Sequence, residues 1–382
     1  MLAERLADAR KQTDSLFEIV KPEAIYDRPI GERHRIIFYL GHLEAFDRNL
    51  LAGGPHSEFD RLFAFGIDPV GGGLPTDQPR DWPSVEEVQK YNREVRSTID
   101  GIPANEQMWN VAIEHRLMHA ETLAYMLHQM PVHTKLAQTS AGKPARPKEG
   151  PAMVVVPEGE VVLGRSEGFG WDNEFEAHRV EVGAFQIDRY KVTNSEFLEF
   201  LNSGGYNDKS LWTEDGWRWK EATGVAHPVF WKRSNGGWIY RTMFEEIPMP
   251  LDWPVYVSHS EASAYARWIG KALPTEAEWQ RAAEGSSIGN AGFRQWDPVP
   301  VTADTSMYGN GWEWTSSLFK PFPGFSPFPF YPGYSANFFD DQHYVMKGGS
   351  ARTADCLLRP SFRNWFQPNY QYVYTGFRCV TR

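Results

Sequence analysis

A chain of 382 residues exceeds the size at which one hydrophobic core stops growing, so two domains are expected. The formal net charge is −10 and no Lys/Arg block stands out, which argues against nucleic acid or an anionic membrane surface as partner and favours small molecules. With two cysteines, Cys356 and Cys379, a cysteine-rich zinc site is excluded and metal chemistry falls to histidine and carboxylates.

The opening stretch, MLAERLADARKQTDSLF, alternates charged with apolar residues and lacks the apolar core of a signal peptide; nor does any run of roughly 18 apolar residues occur later, so a cytoplasmic location is expected. Residues 1–134 read as an all-α bundle. Apolar residues recur at three- and four-residue spacing in Arg33–Leu51, Val85–Ile99 and Gln107–Met130, with Pro and Gly clusters between them. Thr134–Pro151 is poor in large apolar residues and rich in Lys, Pro, Gly and Ala, the chemistry of a linker, placed at 135–151. From 152 to 382 the texture changes to short β-like runs such as Met153–Val156, isolated helices such as Ser258–Ile269, and long loops rich in Gly, Pro and Trp. The fold class is therefore α+β, helical in its first half and mixed in its second.

In IEHRLMHAETLAYMLHQ, His115 and His119 are four residues apart in a strongly helical stretch, which puts both imidazoles on one face a turn apart. His42 lies on another helix, with Leu40, Leu43 and Phe46 as its apolar stripe. Inward-facing groups on separate helices are how bundles build metal sites. An amphipathic surface carrying two histidines would show the same HxxxH spacing. Three neutral imidazoles leave coordination positions open, which suits iron with O2 or zinc with a water, and spacing does not choose between them. His34, His128 and His133 read as surface residues or as supports for the ligands. Glu121 reads as a solvated helix charge, the other reading being an acceptor that orients an imidazole.

The second half carries GWDNEFEAH (170–178), KVTNSEF (191–197), LPTEAEWQRAA (273–283), GNGWEWTSS (309–317), KGGSARTA (347–354), SFRNW (361–365) and GFRC (376–379). This series resembles the formylglycine-generating-enzyme-like fold, an irregular C-type-lectin-like arrangement, over nearly all of 151–382. Within it Leu273–Trp279 and Gly309–Trp314 read as scaffold, with Trp312 and Trp314 in the core and tight turns at the Gly and Asn of GNGWEW. The first half, with LGHLEAF and HRLMHAE, is similar to DinB-type four-helix bundles. The combination resembles the ergothioneine-type sulfoxide synthases over the whole chain. That resemblance implies an Fe(II) centre held by His42, His115 and His119, with O2 as co-substrate, joining a chalcogen donor to the imidazole C2 of hercynine, Nα-trimethylhistidine. It implies a nearby phenol, assigned to Tyr331, that delivers a proton or electron. Tyr334 would face the trimethylammonium group, Trp365 would complete the cation cage, and Asn364 would hydrogen-bond the carboxylate. Arg363 reads as structural.

The family branch that uses γ-glutamylcysteine follows RNW with an Asp and, four residues later, an Arg. Here Phe366 and Tyr370 occupy those places, and two aromatic rings suit a less charged donor, such as a sugar stacked on their faces. Met118 stands where the family has Gln before the second helix ligand, and a thioether there suits selenium as well as sulfur. The chain looks most like the selenoneine synthases, whose donor is a selenosugar; cysteine or γ-glutamylcysteine is the alternative donor. A structural Ca2+ in a lectin-like loop and a homo-oligomer are compatible with the resemblance. A zinc-dependent DinB-type thiol transferase and a non-catalytic ligand-binding protein are the competing readings. The formylglycine-generating enzymes themselves bind copper through a cysteine pair, whereas Cys356 and Cys379 read as buried thiols on core strands.

Overall fold

Four helices announce their starts with the same local signal, a Ser or Thr followed three residues later by Glu: Ser84/Glu87, Thr193/Glu196, Ser258/Glu261 and Thr275/Glu278. In each, the hydroxyl accepts from the Glu backbone N–H while the Glu carboxylate accepts from the N-cap backbone. The structure is a computed structural model that describes residues 2–64, 75–103, 105–138, 146, 149–150 and 152–382. The chain divides into two units, Met1–Gln138 and Thr139–Arg382.

The first unit contains α1 (Leu2–Glu18), α2 (Ile36–Leu51), the short α3 (Glu58–Leu62), α4 (Val85–Ile99) and α5 (Glu106–Gln129). Packing follows from which faces are apolar: α1 lies on α5, and α2 lies on both α4 and α5. Helix α5 is buried on nearly every side, from Trp109 to His128, as expected of a helix enclosed by the others. Two expectations change here. Glu121 and His128 are both buried, 8% and 2% exposed, because α5 presents almost no face to solvent. After α5 the chain turns back onto this unit: Lys135 bridges Val20, Leu136 N–H donates to Ile19 O, and the Lys135 ammonium donates to Leu127 O at 2.8 Å. Most of the stretch Thr134–Pro151 read as a linker lies outside the described residues.

The second unit contains β1 (Met153–Val156), β2 (Gly159–Leu163), β3 (His178–Val182), β4 (Phe185–Asp188), α6 (Asn194–Asn202), α7 (Glu214–Thr223), β5 (Trp231–Ser234), β6 (Gly237–Arg241), β7 (Glu246–Pro248), α8 (His259–Trp268), α9 (Glu276–Ala282), β8 (Trp312–Leu318), β9 (Tyr344–Lys347), β10 (Asn364–Phe366), β11 (Thr375–Gly376) and β12 (Val380–Thr381). The strands form four small sheets, ordered β1-β4-β12, β10-β9-β8-β11, β2-β3 and β5-β6-β7; β11 pairs parallel to β8, and every other pairing is antiparallel. Sheets this small cannot bury a core alone. Trp279 of α9 fills the space against Val161, Val182, Phe185, Met307 and Val380.

The GNGWEW segment is scaffold. Gly309 and Gly311 have φ of 106° and 116°, and a Cβ on Gly309 would lie 2.8 Å from Asn290 O, so only glycine fits there. Asn310 accepts from Val299 N–H at 2.8 Å and donates to Val299 O at 2.8 Å. Trp312 and Trp314 are 2% and 0% exposed. Buried Glu313 accepts from the Trp279 indole at 3.1 Å, from the Arg378 guanidinium at 3.1 Å and from the Lys191 ammonium. The reading of both cysteines as buried strand residues holds for neither in full: Cys379 is buried just ahead of β12, while Cys356 is half-buried on a 3-10 turn, Asp355–Leu357.

Candidate functional site

The three histidines come together in the first unit. One ligand atom from each of His42, His115 and His119 lies within 4.8 Å of the other two, and all three rings are buried. Helix geometry sets His115 and His119 one turn apart on α5, with their Nε2 atoms 3.1 Å apart. Helix α2 supplies His42, whose Nδ1 donates to Phe63 O at 2.7 Å, leaving the Nε2 lone pair free to ligate. Phe63 caps the C-terminus of α3. Flat rings fix the imidazole planes: Phe46 stacks on His115 with centroids 3.4 Å apart, and Phe38 stacks on His42 at 4.9 Å.

Electrostatics keep the triad neutral. Burial pushes His42 down to about 4, against a partial offset from the Phe63 carbonyl. Burial and then mutual repulsion push His115 well below its ordinary value; burial and then His42 do the same to His119. Neutral imidazole is the metal-binding form. Two nitrogens 3.1 Å apart can both lie about 2.1 Å from one ion, so the pair fits a transition metal. Among the described residues no carboxylate joins the group, which makes it an all-nitrogen set suited to iron, copper or zinc.

A buried ionic network grips α2 just behind His42. The Arg116 guanidinium, beside His115 on α5, donates to Glu44 at 2.9 Å, to Asp47 at 2.7 Å and to Leu43 O at 3.0 Å. Arg96 of α4 donates to Glu44 at 2.7 Å and to Asp14 of α1 at 2.7 Å. Burial drives the Asp47 carboxyl up to about 6, while for Glu44 burial is outweighed by Arg116 and Arg96, which hold its carboxyl below the ordinary range. Met118 is half-buried on α5, His34 stacks on Phe38 at 4.1 Å, and His133 is exposed.

In the second unit, Tyr331 and Tyr334 bracket a Pro332-Gly333 turn closed by Tyr334 N–H donating to Tyr331 O at 3.2 Å, which brings their rings to 5.6 Å. Tyr334 stacks on Trp171 at 3.9 Å and meets the edge of Trp365 at 5.4 Å. Trp365 in turn lies flat on Phe319 at 4.0 Å. Tyr331, Tyr334, Asn364 and Trp365 are all partly exposed. Register places Asn364 opposite Met346, and its side-chain oxygen accepts from Trp365 N–H at 2.9 Å. Phe366 and Tyr370 stack on each other at 4.9 Å and 14°.

Sequence reasoning missed four participants: the Phe63 carbonyl, the Phe38 ring, the Arg116 network and Trp171. Phe38 stands four residues before His42 and was legible by helical spacing. Trp171 sits inside the quoted GWDNE. The Phe63 carbonyl carries no side-chain signal.

Residues 138–297 and 304–382 match the family described as the sulfatase-modifying factor enzyme 1-like domain, and residues 5–135 match the DinB superfamily. The chain is 34% identical to a hercynine oxygenase of Mycolicibacterium thermoresistibile over 78% of this chain and 75% of that protein. It is 37% identical to a hercynine oxygenase of Mycobacterium tuberculosis over 71% and 70%. Ergothioneine biosynthesis protein 1 of Neurospora crassa is 29% identical over 95% of this chain and 55% of its own length.

Proposed function

The chain belongs to the hercynine oxygenase family, a DinB bundle followed by a sulfatase-modifying factor enzyme 1-like domain, and from that membership we propose an Fe(II)- and O2-dependent enzyme that joins a chalcogen donor to C2 of hercynine. The observation that carries this reading is the buried, neutral, all-imidazole triad in the first unit. His42, His115 and His119 hold the iron, which when bound supplies the one-electron redox chemistry that O2 requires. In the net reaction the imidazole C2–H and the donor Se–H or S–H bonds break and C–Se or C–S and Se=O or S=O bonds form. One oxygen atom of O2 enters the product, the other leaves as water, and O2 accepts four electrons.

The chain's own residues bind and orient. Tyr334 and Trp365 present ring faces to the trimethylammonium group, with Asn364 hydrogen-bonding the carboxylate. Tyr331 holds or gives up the phenolic proton. We assign the donor as a selenosugar. The stacked Phe366–Tyr370 pair supports it, since neither ring can pair the charges of a zwitterionic thiol. Met118 is proposed to face the donor chalcogen, with cysteine or γ-glutamylcysteine as alternative donors.

The test is to give the Fe(II)-loaded protein hercynine and, separately, selenoglucose, cysteine and γ-glutamylcysteine under air, and to read the product mass. A hercynine selenoxide from selenoglucose in preference to the thiols is expected. A thiol-only product removes the donor assignment, and no adduct from any donor removes the function.

A further inference from the structure

The WDNE stretch lies in the second unit and is almost wholly buried: Trp171, Asp172, Asn173 and Glu174 are 0%, 1%, 1% and 0% exposed. Its polar atoms reach two separate segments. The Asp172 carboxylate accepts from the Ser335 hydroxyl, directly after Tyr334. Asn173 completes that contact, its amide donating to the Ser335 oxygen at 2.9 Å. The second target is the run that leads into Asn364 and Trp365. Glu174 accepts from Arg359 at 2.8 Å and from the Ser361 hydroxyl at 2.6 Å, and the Asn173 carbonyl accepts from Arg363 at 3.3 Å.

We propose that Asp172 is a positioning residue: one buried carboxylate ties down the end of the Tyr331–Ser335 turn and thereby fixes where Tyr331 and Tyr334 stand relative to Asn364 and Trp365. The choice of residue supports this. Burial raises the Asp172 carboxyl above the ordinary range against the pull of the Ser335 hydroxyl, so a polar group is retained here at a cost. Simple packing would be served better by an apolar side chain of the same volume. The donor Asp172 reaches outside its own stretch, Ser335, directly follows the tyrosine pair, and the ring of its neighbour Trp171 lies flat on Tyr334.

The inference rests on the role proposed for Tyr331, and the experiment separates the two. Asp172→Asn removes the charge and replaces one acceptor oxygen by a donor, so the tie to Ser335 is weakened; Ser335→Ala removes the hydroxyl itself and serves if the first variant folds poorly. Each is expected to lower kcat by about 10- to 100-fold, since displacement of a reacting group by roughly 1 Å has an effect of that size. Combined with Tyr331→Phe, each should lower kcat by less than it does alone, because part of its effect acts through that ring. A 3-fluorotyrosine at position 331 reads the turn directly, and its 19F line should shift and broaden in Ser335→Ala. Wild-type kcat with an unchanged 19F line in both variants overturns the inference, as does a full additive loss on the Tyr331→Phe background. If Tyr331→Phe alone keeps full activity, the role of Tyr331 fails instead, and the 19F line decides the positioning by itself.

Discussion

Gly41 precedes His42, and replacing it with alanine tests how the proposed metal site is supported. A Cβ at this position would lie 2.5 Å from Cε2 and 2.6 Å from Cδ2 and Cζ of the Phe63 ring. Carbon atoms in contact prefer about 3.5–4.0 Å, so the ring must retreat by roughly 1 Å. It has little room, being fully buried against Trp82, Phe59 and Tyr91 at centroid distances of 5.9, 5.7 and 6.2 Å. Overpacking of this kind costs about 1–3 kcal/mol, and the better helix propensity of alanine returns about 1 kcal/mol, so the net loss of stability is small. The effect on the metal is larger. Retreat of Phe63 carries its carbonyl away from His42 Nδ1, now 2.7 Å distant, and loss of such a support lowers metal affinity about 10- to 100-fold. Anaerobic titration of Gly41→Ala with Fe(II) against a competing chelator measures this, alongside urea unfolding. Wild-type affinity in a variant that has kept its stability would refute the argument.

Arg116→Met strands Asp47 and leaves Glu44 only its partner Arg96, both carboxylates being 1% exposed or less, and is expected to destabilise the first unit by about 3–5 kcal/mol in urea unfolding followed by helical circular dichroism. Lys347, whose ammonium donates to Pro360 O and Phe362 O, is pushed by burial down to about 8 from 10.5. Below pH 8 it is charged in both folded and unfolded chains; between pH 8 and 10.5 the unfolded chain alone keeps the proton, so stability rises with pH by about 3 kcal/mol in full. The stability difference between wild type and Lys347→Met should therefore grow in favour of wild type over that range, and a flat difference would contradict the assignment. Joint replacement Phe366→Asp and Tyr370→Arg should move donor preference toward γ-glutamylcysteine by about tenfold or more in kcat/KM, measured by competition between donors.

The triad was legible because its signal is local: HxxxH on one helix and a histidine inside a periodic apolar stretch on another fix which faces turn inward. The capping pairs at Ser84, Thr193, Ser258 and Thr275 mark their helices equally directly. Beyond Phe38, what surrounds the site was not legible. Glu121 reads as a solvated charge by residue type, yet α5 is enclosed on nearly all sides, a property of the other helices and not of its own pattern. The support of His42 comes from a backbone carbonyl 21 residues away, and carbonyls look alike in any sequence. Trp171 and Asp172 were visible as a motif, but their partners at 334 and 335 lie more than 160 positions along the chain, so only the fold reveals what the motif holds.

Oxygen uptake is the most direct test of the central claim. With Fe(II) bound, consumption of O2 should require both hercynine and the chalcogen donor, proceed with one O2 per hercynine converted, and vanish in His119→Ala and in protein loaded with zinc. Turnover by the zinc form without O2, or O2 consumption indifferent to hercynine, would contradict it.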